Sequence, residues 1–396
     1  MNKTNKKMEG KQETHSVIWY KDKSFILKLL GTMALTFGAV FAIDEVFTRF
    51  DIEIFQFMTN PFFAYVFVCL LVGLVRIIYE VSKFYNETPE AMEEKNHDSI
   101  TGMIREAHKD KRYAEVIRLG AALSAALWYS GRHKLRLEIA EFVYDAAERL
   151  NKKYTLASVL IEDLGNGTLE ATKDAKLSIE YIQKGLRVAT ENGFAYLTAR
   201  GYRNLCCAYA YQYLQNGMPS DLEHAKRAYA KGFRALSKIA DEKQKLDAKA
   251  SLYYARVRIF QQERKELRAI DYLKKGLALY EQLAKIPGNN SLAEDRMLKM
   301  YRELGKLLVK RPETEEEGLA YIKKALELAE TLRDYGNALR ANMILLQYYY
   351  VKDNELPIQR IIRQCDAYVK EIERADLEKE YDALKEKIKD KWENAF

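Results

Sequence analysis

Proline is scarce in this chain, with six in 396 residues, and so are cysteine, with four, and histidine, with five. Few prolines and no long Val/Ile/Thr alternation argue against a sheet-rich fold and predict an all-α chain. Cys69, Cys206, Cys207 and Cys365 form no metal or redox spacing, and adjacent Cys206 and Cys207 read as buried thiols in a reducing compartment. The sequence has no glycine-rich phosphate loop, no GxSxG, no HExxH and no CxxC. His97, His108, His133 and His224 share no metal-ligand spacing, and Arg105 with His108 lacks the wider spacing of helical ribonucleases. Glu162, Asp163 and Asp174 flank Gly165-Asn166-Gly167-Thr168, which reads as a loop before a capped helix rather than a metal site. The expectation is a protein that is not an enzyme, with no catalytic residues, no metal and no cofactor.

What is present is a repeat. Tyr202, Leu205, Cys206 and Tyr209 recur at i, i+3, i+4 and i+7, the apolar stripe of a helix packed on one side. Gln215 to Ser220, with Gly217 and Pro219, ends that helix, and Asp221 or Ser220 is placed to cap a second one. The second helix carries small residues, Ala225 and Gly232, where two backbones must approach. Tyr301, Leu304, Gly305 and Leu308 repeat the first stripe, and Gly318, Ile322 and Ala325 the second. Weaker copies begin at Tyr154 and Leu252. The leading residues 154, 202, 252 and 301 are spaced by 48, 50 and 49. A helix pair of this kind leaves apolar surface uncovered and requires neighbours of the same kind.

The order of bulky residue, Leu, small residue and aromatic, then Ala, aromatic and Ala, resembles the tetratricopeptide repeat (TPR) family. The resemblance spans roughly residues 100–396, with a period longer than the family's 34 residues and no closing proline. It implies an α-solenoid of antiparallel helix pairs over 99–376, with the charged helix 377–396 as its terminal cap. Such proteins commonly bind peptides in the concave groove lined by the first helices. On that rule Arg200, Arg203, Asn204, Tyr253, Lys299, Arg302 and Lys306 are the candidate binding residues.

The amino-terminal region differs in character. Residues 1–23 form a basic leader. Leu29 to Ile43 and Phe62 to Val75 are uncharged runs, flanked by Lys28 and Arg76, and contain Gly31, Gly38 and Gly73. Over 24–82 they predict a transmembrane hairpin with an acidic, aromatic outer loop. A soluble bundle, a signal peptide and interfacial helices are its alternatives. The basic flanks put both termini in the cytoplasm, with a bacterial inner membrane as the expected location. Residues 83–98 make an acidic linker or short helix. Residues 1–96 hold 11 basic and 12 acidic residues, so the positive excess lies beyond them, 53 basic against 45 acidic, and its even spread among glutamates speaks against nucleic acid.

Two functional readings follow. In the first, a membrane-tethered scaffold recruits a cytoplasmic protein or peptide through the groove. In the second, the solenoid senses a small anion or peptide and the membrane helices of a homo-oligomer open a pore, a layout shared by some bacterial defence proteins.

Overall fold

Helix-forming sequence with very little proline folds here into helices joined by tight turns, and no strand occurs among the described residues. The structure is a computed structural model, and it describes residues 89–286 and 290–392. The expected membrane hairpin, with Lys28, Gly31, Gly38, Gly73 and Arg76, lies outside them. No helix among the described residues is long and apolar enough to cross a membrane. The chain divides into two units, Met1–Ile100 and Thr101–Phe396. Of the first, only the opening turns of α1 (Pro89–Lys109) are described.

The second unit continues with α2 (Tyr113–Tyr129), α3 (His133–Arg149) and α4 (Lys153–Ser158). A π-helical segment, Val159–Asn166, leads from α4 directly into α5 (Gly167–Thr172). There follow α6 (Ala175–Glu191), α7 (Ala195–Asn216), α8 (Pro219–Ala235), α9 (Glu242–Gln262) and α10 (Glu266–Ala284). The chain ends with α11 (Asn290–Leu308), α12 (Glu315–Thr331), α13 (Tyr335–Val351), α14 (Ile358–Lys370) and α15 (Ala375–Lys391). Consecutive helices pack as pairs: α2 on α3, the π segment on α6, α7 on α8, α9 on α10, α11 on α12 and α13 on α14. Each pair packs on the next through α6–α7, α8–α9, α10–α11 and α12–α13, and α15 covers α13 and α14. The core therefore runs along the array as a chain of clusters. Tyr301 belongs to two of them and Tyr229 to two others.

Glycines sit where the helix pairs touch. At Gly318 an added Cβ would lie 2.5 Å from the backbone nitrogen of Val309, and at Gly232 2.8 Å from Leu252. The turns between helices use one device. The N–H groups of Arg112, Lys152, Phe194, Lys265, Asp334 and Asn354 each bond the carbonyl five residues back. The residue before each of them is left-handed: Lys111, Asn151, Gly193, Arg264, Arg333 and Asp353. This is the Schellman closure, which satisfies the carbonyls that a helix end leaves open.

Two local expectations are corrected. Gly165–Thr168 is not a loop, because the wide π turn carries the helix through it. Gly165 sits against Ile182 with no room for a side chain, and its carbonyl accepts a bond of 2.7 Å from the Ser178 hydroxyl. The amino-terminal end of α8 has no side-chain cap; Pro219 opens the helix. Asp221 instead accepts from Asn216 across the turn at 2.8 Å. Pro219 removes one donor that a cap would have satisfied.

Candidate functional site on the inner helix faces

In α7, α9 and α13 the buried residues do not form a single stripe. Each of these first helices is covered by its own partner and by neighbouring pairs, so polar positions beside the stripe become buried as well. The result is a band of charge on α7, α9, α11, α13 and the π segment.

Arg200 is its best-formed node. It is 6% exposed, and its Nε and Nη2 donate to the two oxygens of Glu162 at 2.8 and 3.0 Å. Its Nη1 lies 3.5 Å from Asp247, which also accepts from Tyr196 Oη at 2.6 Å. Burial opposes ionisation of Glu162, but the Arg200 guanidinium outweighs it and holds the carboxyl at about 2. Burial, then the Asp247 charge, pushes the Tyr196 hydroxyl up, so it stays a donor. Asn204 is buried and donates to the Ile161 carbonyl at 3.1 Å.

A second node lies on α11. Arg302 donates to Glu303 at 3.0 Å and to Asn337 on α13. Glu303 also faces Arg258 at 3.6 Å, and these cations overcome burial to keep it well below the usual carboxylate range. Lys299, one turn before Arg302, lies 3.5 Å from Asp295 and 5.0 Å above the Trp128 ring of α2. Burial holds its ammonium below its ordinary value, and the charges of Arg296 and Arg203 add to that.

A third node joins the two ends of the array. Arg374 donates to His133 Nε2 at 2.9 Å and to Asp376 at 2.7 Å, while Lys173 reaches Asp376 at 3.2 Å. Burial and the facing Arg374 press the His133 imidazole down to about 3, so it is the neutral acceptor.

Two cations stand apart. Arg203 donates to Asn204 at 2.6 Å, yet its Nε is buried with no partner. Arg340, half-buried on α13, has no hydrogen bond or ion pair among the described residues. Burial lowers its guanidinium, and the charge of Arg302 lowers it further.

Of the residues expected in the groove, Arg200, Arg203 and Asn204 meet on α7, and Lys299 and Arg302 share a face of α11. Lys306 is exposed further along α11, its charge felt at Glu303. Tyr253 lies elsewhere: it packs between Phe233 and Tyr272, at ring distances of 6.2 and 5.3 Å, in the contact between α8, α9 and α10. Glu162 and Asp163 serve as counter-ions, to Arg200 and, at 2.5 Å, to Arg136. Arg105 and His108 are engaged separately, with Glu138 and Asp145, each at 2.8 Å. Among the described residues no group of His, Cys, Asp and Glu is placed to hold a metal ion.

Sequence reasoning missed Arg258, Arg296, Arg340 and Trp128. Arg340 follows Leu339 in α13 as Arg203 follows Tyr202 in α7, and aligning α13 as a further first helix would have found it. No protein-family model matches this chain, and no curated protein matches it.

Proposed function

We propose that this chain is a TPR-like binding protein, not an enzyme, held at a membrane by its amino-terminal segment and capturing an anionic ligand on the inner faces of its first helices. The observation that carries this reading is Arg203, whose buried Nε has no hydrogen-bond partner, beside Arg340, half-buried and with no hydrogen bond or ion pair among the described residues. A desolvated guanidinium without a counter-ion is costly, and an incoming anion removes that cost. The first role consistent with this is recruitment: an acidic segment of a cytoplasmic partner docks, and the membrane anchor raises its local concentration. The second is a sensor that couples a small anion to the membrane helices of an oligomer. The contact of Lys299 with Trp128 favours the second role, because it brings the side chains of α11 and α2 together across the inner face.

The test uses the full chain in lipid nanodiscs and a variant carrying Arg203→Glu, Lys299→Glu and Arg302→Glu. Capture of an anionic ligand by the parent and not by the variant supports the reading, and equal capture by both removes it. Deleting residues 1–84 is expected to release the protein from membranes; unchanged membrane localisation would remove the anchor. Ion leakage from liposomes on ligand addition separates the sensor from the scaffold.

A further inference from the structure

The helix array curls back on itself. Trp128 of α2 stands 5.0 Å from the ammonium of Lys299 on α11, although three helix pairs lie between theirs in the chain. The α2–α3 turn meets the turn into α15. There Arg132 Nε donates to Glu373 at 3.1 Å and Arg374 donates to His133 Nε2 at 2.9 Å. Lys173, in the α5–α6 turn, reaches Asp376 at 3.2 Å. The inner faces of α7 and α9 lie within this curl. Neighbouring pairs are held by apolar clusters, which join Ala199 to Leu252, Leu273 to Leu304 and Ile322 to Leu346. The seam between the ends is held by ion pairs and hydrogen bonds between turns. Glu373 is 63% exposed and Lys173 and Asp376 about a third. Ion pairs so exposed contribute little and weaken as salt screens them, whereas apolar burial does not depend on that screening.

We infer that this seam is a latch: the array opens there with its helix pairs intact, and the latch controls access to the inner face. The inference rests on the geometry of the seam and not on which ligand that face takes. Opening strands no charge, because each side of the seam carries its own counter-ion. Arg374 keeps Asp376 at 2.7 Å on one side, and Lys173 keeps Glu170 at 3.8 Å on the other. A joint that opens and closes needs this, since a charge left alone in a poorly solvated place would hold it shut. Trp128 carries the motion inward. Its ring lies 5.1 Å from the His133 ring that Arg374 holds, and Arg136 and Lys299 approach it at 4.8 and 5.0 Å. Parting Arg374 from His133 lets α2 draw Trp128 away from Lys299, which uncovers the face that carries Arg203 and Arg302.

The full chain, in nanodiscs, carries its own reporter. Cys207 is half-buried and lies one turn beyond Arg203 on the same face of α7, whereas Cys206 and Cys365 are buried. Its alkylation by iodoacetamide at constant pH, read residue by residue by mass spectrometry, measures access to that face. In the parent, Cys207 is expected to react at least about fivefold faster at about 1 M salt than at about 0.01 M, where charges act over about 3 and 30 Å. A lock is available in Gly131→Cys with Ile372→Cys. A Cβ added at Gly131 lies 3.9 Å from that of Ile372, within the roughly 3.5–4.5 Å that disulfides take. Oxidised, this double variant should react slowly at both salt concentrations; reduced, it should regain the response of the parent. Arg374→Gln should react at low salt as the parent does at high salt, with helix content by circular dichroism unchanged. Failure of the introduced pair to cross-link would show that the ends do not meet and would overturn the inference. Equal rates at Cys207 in the oxidised and reduced double variant would overturn it too, since the seam would then not control the face. A parent rate indifferent to salt would do the same. No ligand enters these measurements, so a failed latch leaves anion capture standing, and failed anion capture leaves the latch.

Discussion

Arg200 and Glu162 are joined by two parallel hydrogen bonds of 2.8 and 3.0 Å, across the boundary between α7 and the π-helical segment. The guanidinium is 7% exposed and the carboxylate 21%. Removing one partner of such a pair strands the other charge in a poorly solvated place, which costs about 3–5 kcal/mol. Glu162→Gln is therefore expected to lower the melting temperature by roughly 6–20 °C, given about 2–4 °C per kcal/mol for a domain of this size. The double variant with Arg200→Gln should recover much of the loss, because the Arg200–Glu162 charge pair is then removed whole and Asp247 keeps Arg296 at 3.8 Å. Differential scanning calorimetry of the parent, both single variants and the double variant measures the coupling. A double variant as unstable as the sum of the singles would show that the two side chains act independently.

The same groups set a response to acid in two stages. His133 is held at about 3 in the folded chain against 6.5 when free. The unfolded chain therefore binds this proton first, and stability falls as pH drops from about 6.5 towards 3, by about 1.4 kcal/mol per pH unit for one proton. Glu162 and Glu170 are both held at about 2, against a model-compound value of 4.5. Their contribution is present above pH 4.5 and is lost as pH falls from there towards 2. Urea midpoints between pH 7 and 3 should fall gently at first and steeply below 4.5. In His133→Gln the first stage should vanish and the second remain. A midpoint that stays flat from pH 7 to 5 in the parent would count against the clasp between His133 and Arg374.

These contacts also show what the sequence carried and what it did not. The pairing of helices was legible because its signal is local: Tyr202, Leu205 and Cys206 against Ala225 and Gly232 repeat in Tyr301, Leu304 and Gly305 against Gly318 and Ile322. The boundaries of α2 could be read directly from Tyr113 and Tyr129. The run through Gly165–Thr168 could not, because glycines signal a break unless something accepts their close approach. Here that is Ile182 and the Ser178 hydroxyl, both on another helix. The candidate site was half legible for a related reason. Arg200, Arg203, Lys299 and Arg302 follow from their place beside the stripe. Their counter-ions, Glu162, Asp247 and Glu303, come from helices about 40 or more residues away or from the next position in the same helix. No single-helix pattern ranks such partners. Tyr253 was misplaced because an aromatic beside the stripe can turn towards the second helix, where Phe233 and Tyr272 offer it rings.

The repeated turn gives a prediction about backbone conformation. Lys111 ends α1 at φ +60° and is exposed. A side chain in the left-handed region costs about 1–2 kcal/mol, while glycine gives back part of that through its greater freedom when unfolded. Lys111→Gly is expected to stabilise the chain by about 0.5–1 kcal/mol. The turn at Gly193, φ +70° in the same closure, supplies the reverse. Gly193→Ala should destabilise by about 1 kcal/mol although nothing lies within 4 Å of the added methyl. Urea denaturation of the two variants beside the parent tests the pair. A destabilised Lys111→Gly would mean that its side chain does more than end a helix.

Glycines inside the helices answer differently, and the contrast between two of them tests the packing of the repeat. Gly102, in α1, has nothing within 4 Å of an added Cβ. Alanine there should stabilise by about 0.5–1 kcal/mol through helix propensity alone. Gly318, in α12, meets the backbone of Leu308 and Val309 at the end of α11, with the nearest atom 2.5 Å from an added Cβ. A side chain could turn away from such a clash, but backbone cannot, so α11 and α12 must part. Gly318→Ala is expected to cost about 1–3 kcal/mol, the range for overpacking a tight contact. The separation of these two helices would also disturb Lys299 and Arg302, which α11 carries. Binding of an anionic ligand should therefore weaken in Gly318→Ala and stay unchanged in Gly102→Ala. Equal stability of the two variants would show that the helices of the pair are not held at glycine distance, and the repeat reading of Tyr301–Ala325 would lose its structural basis.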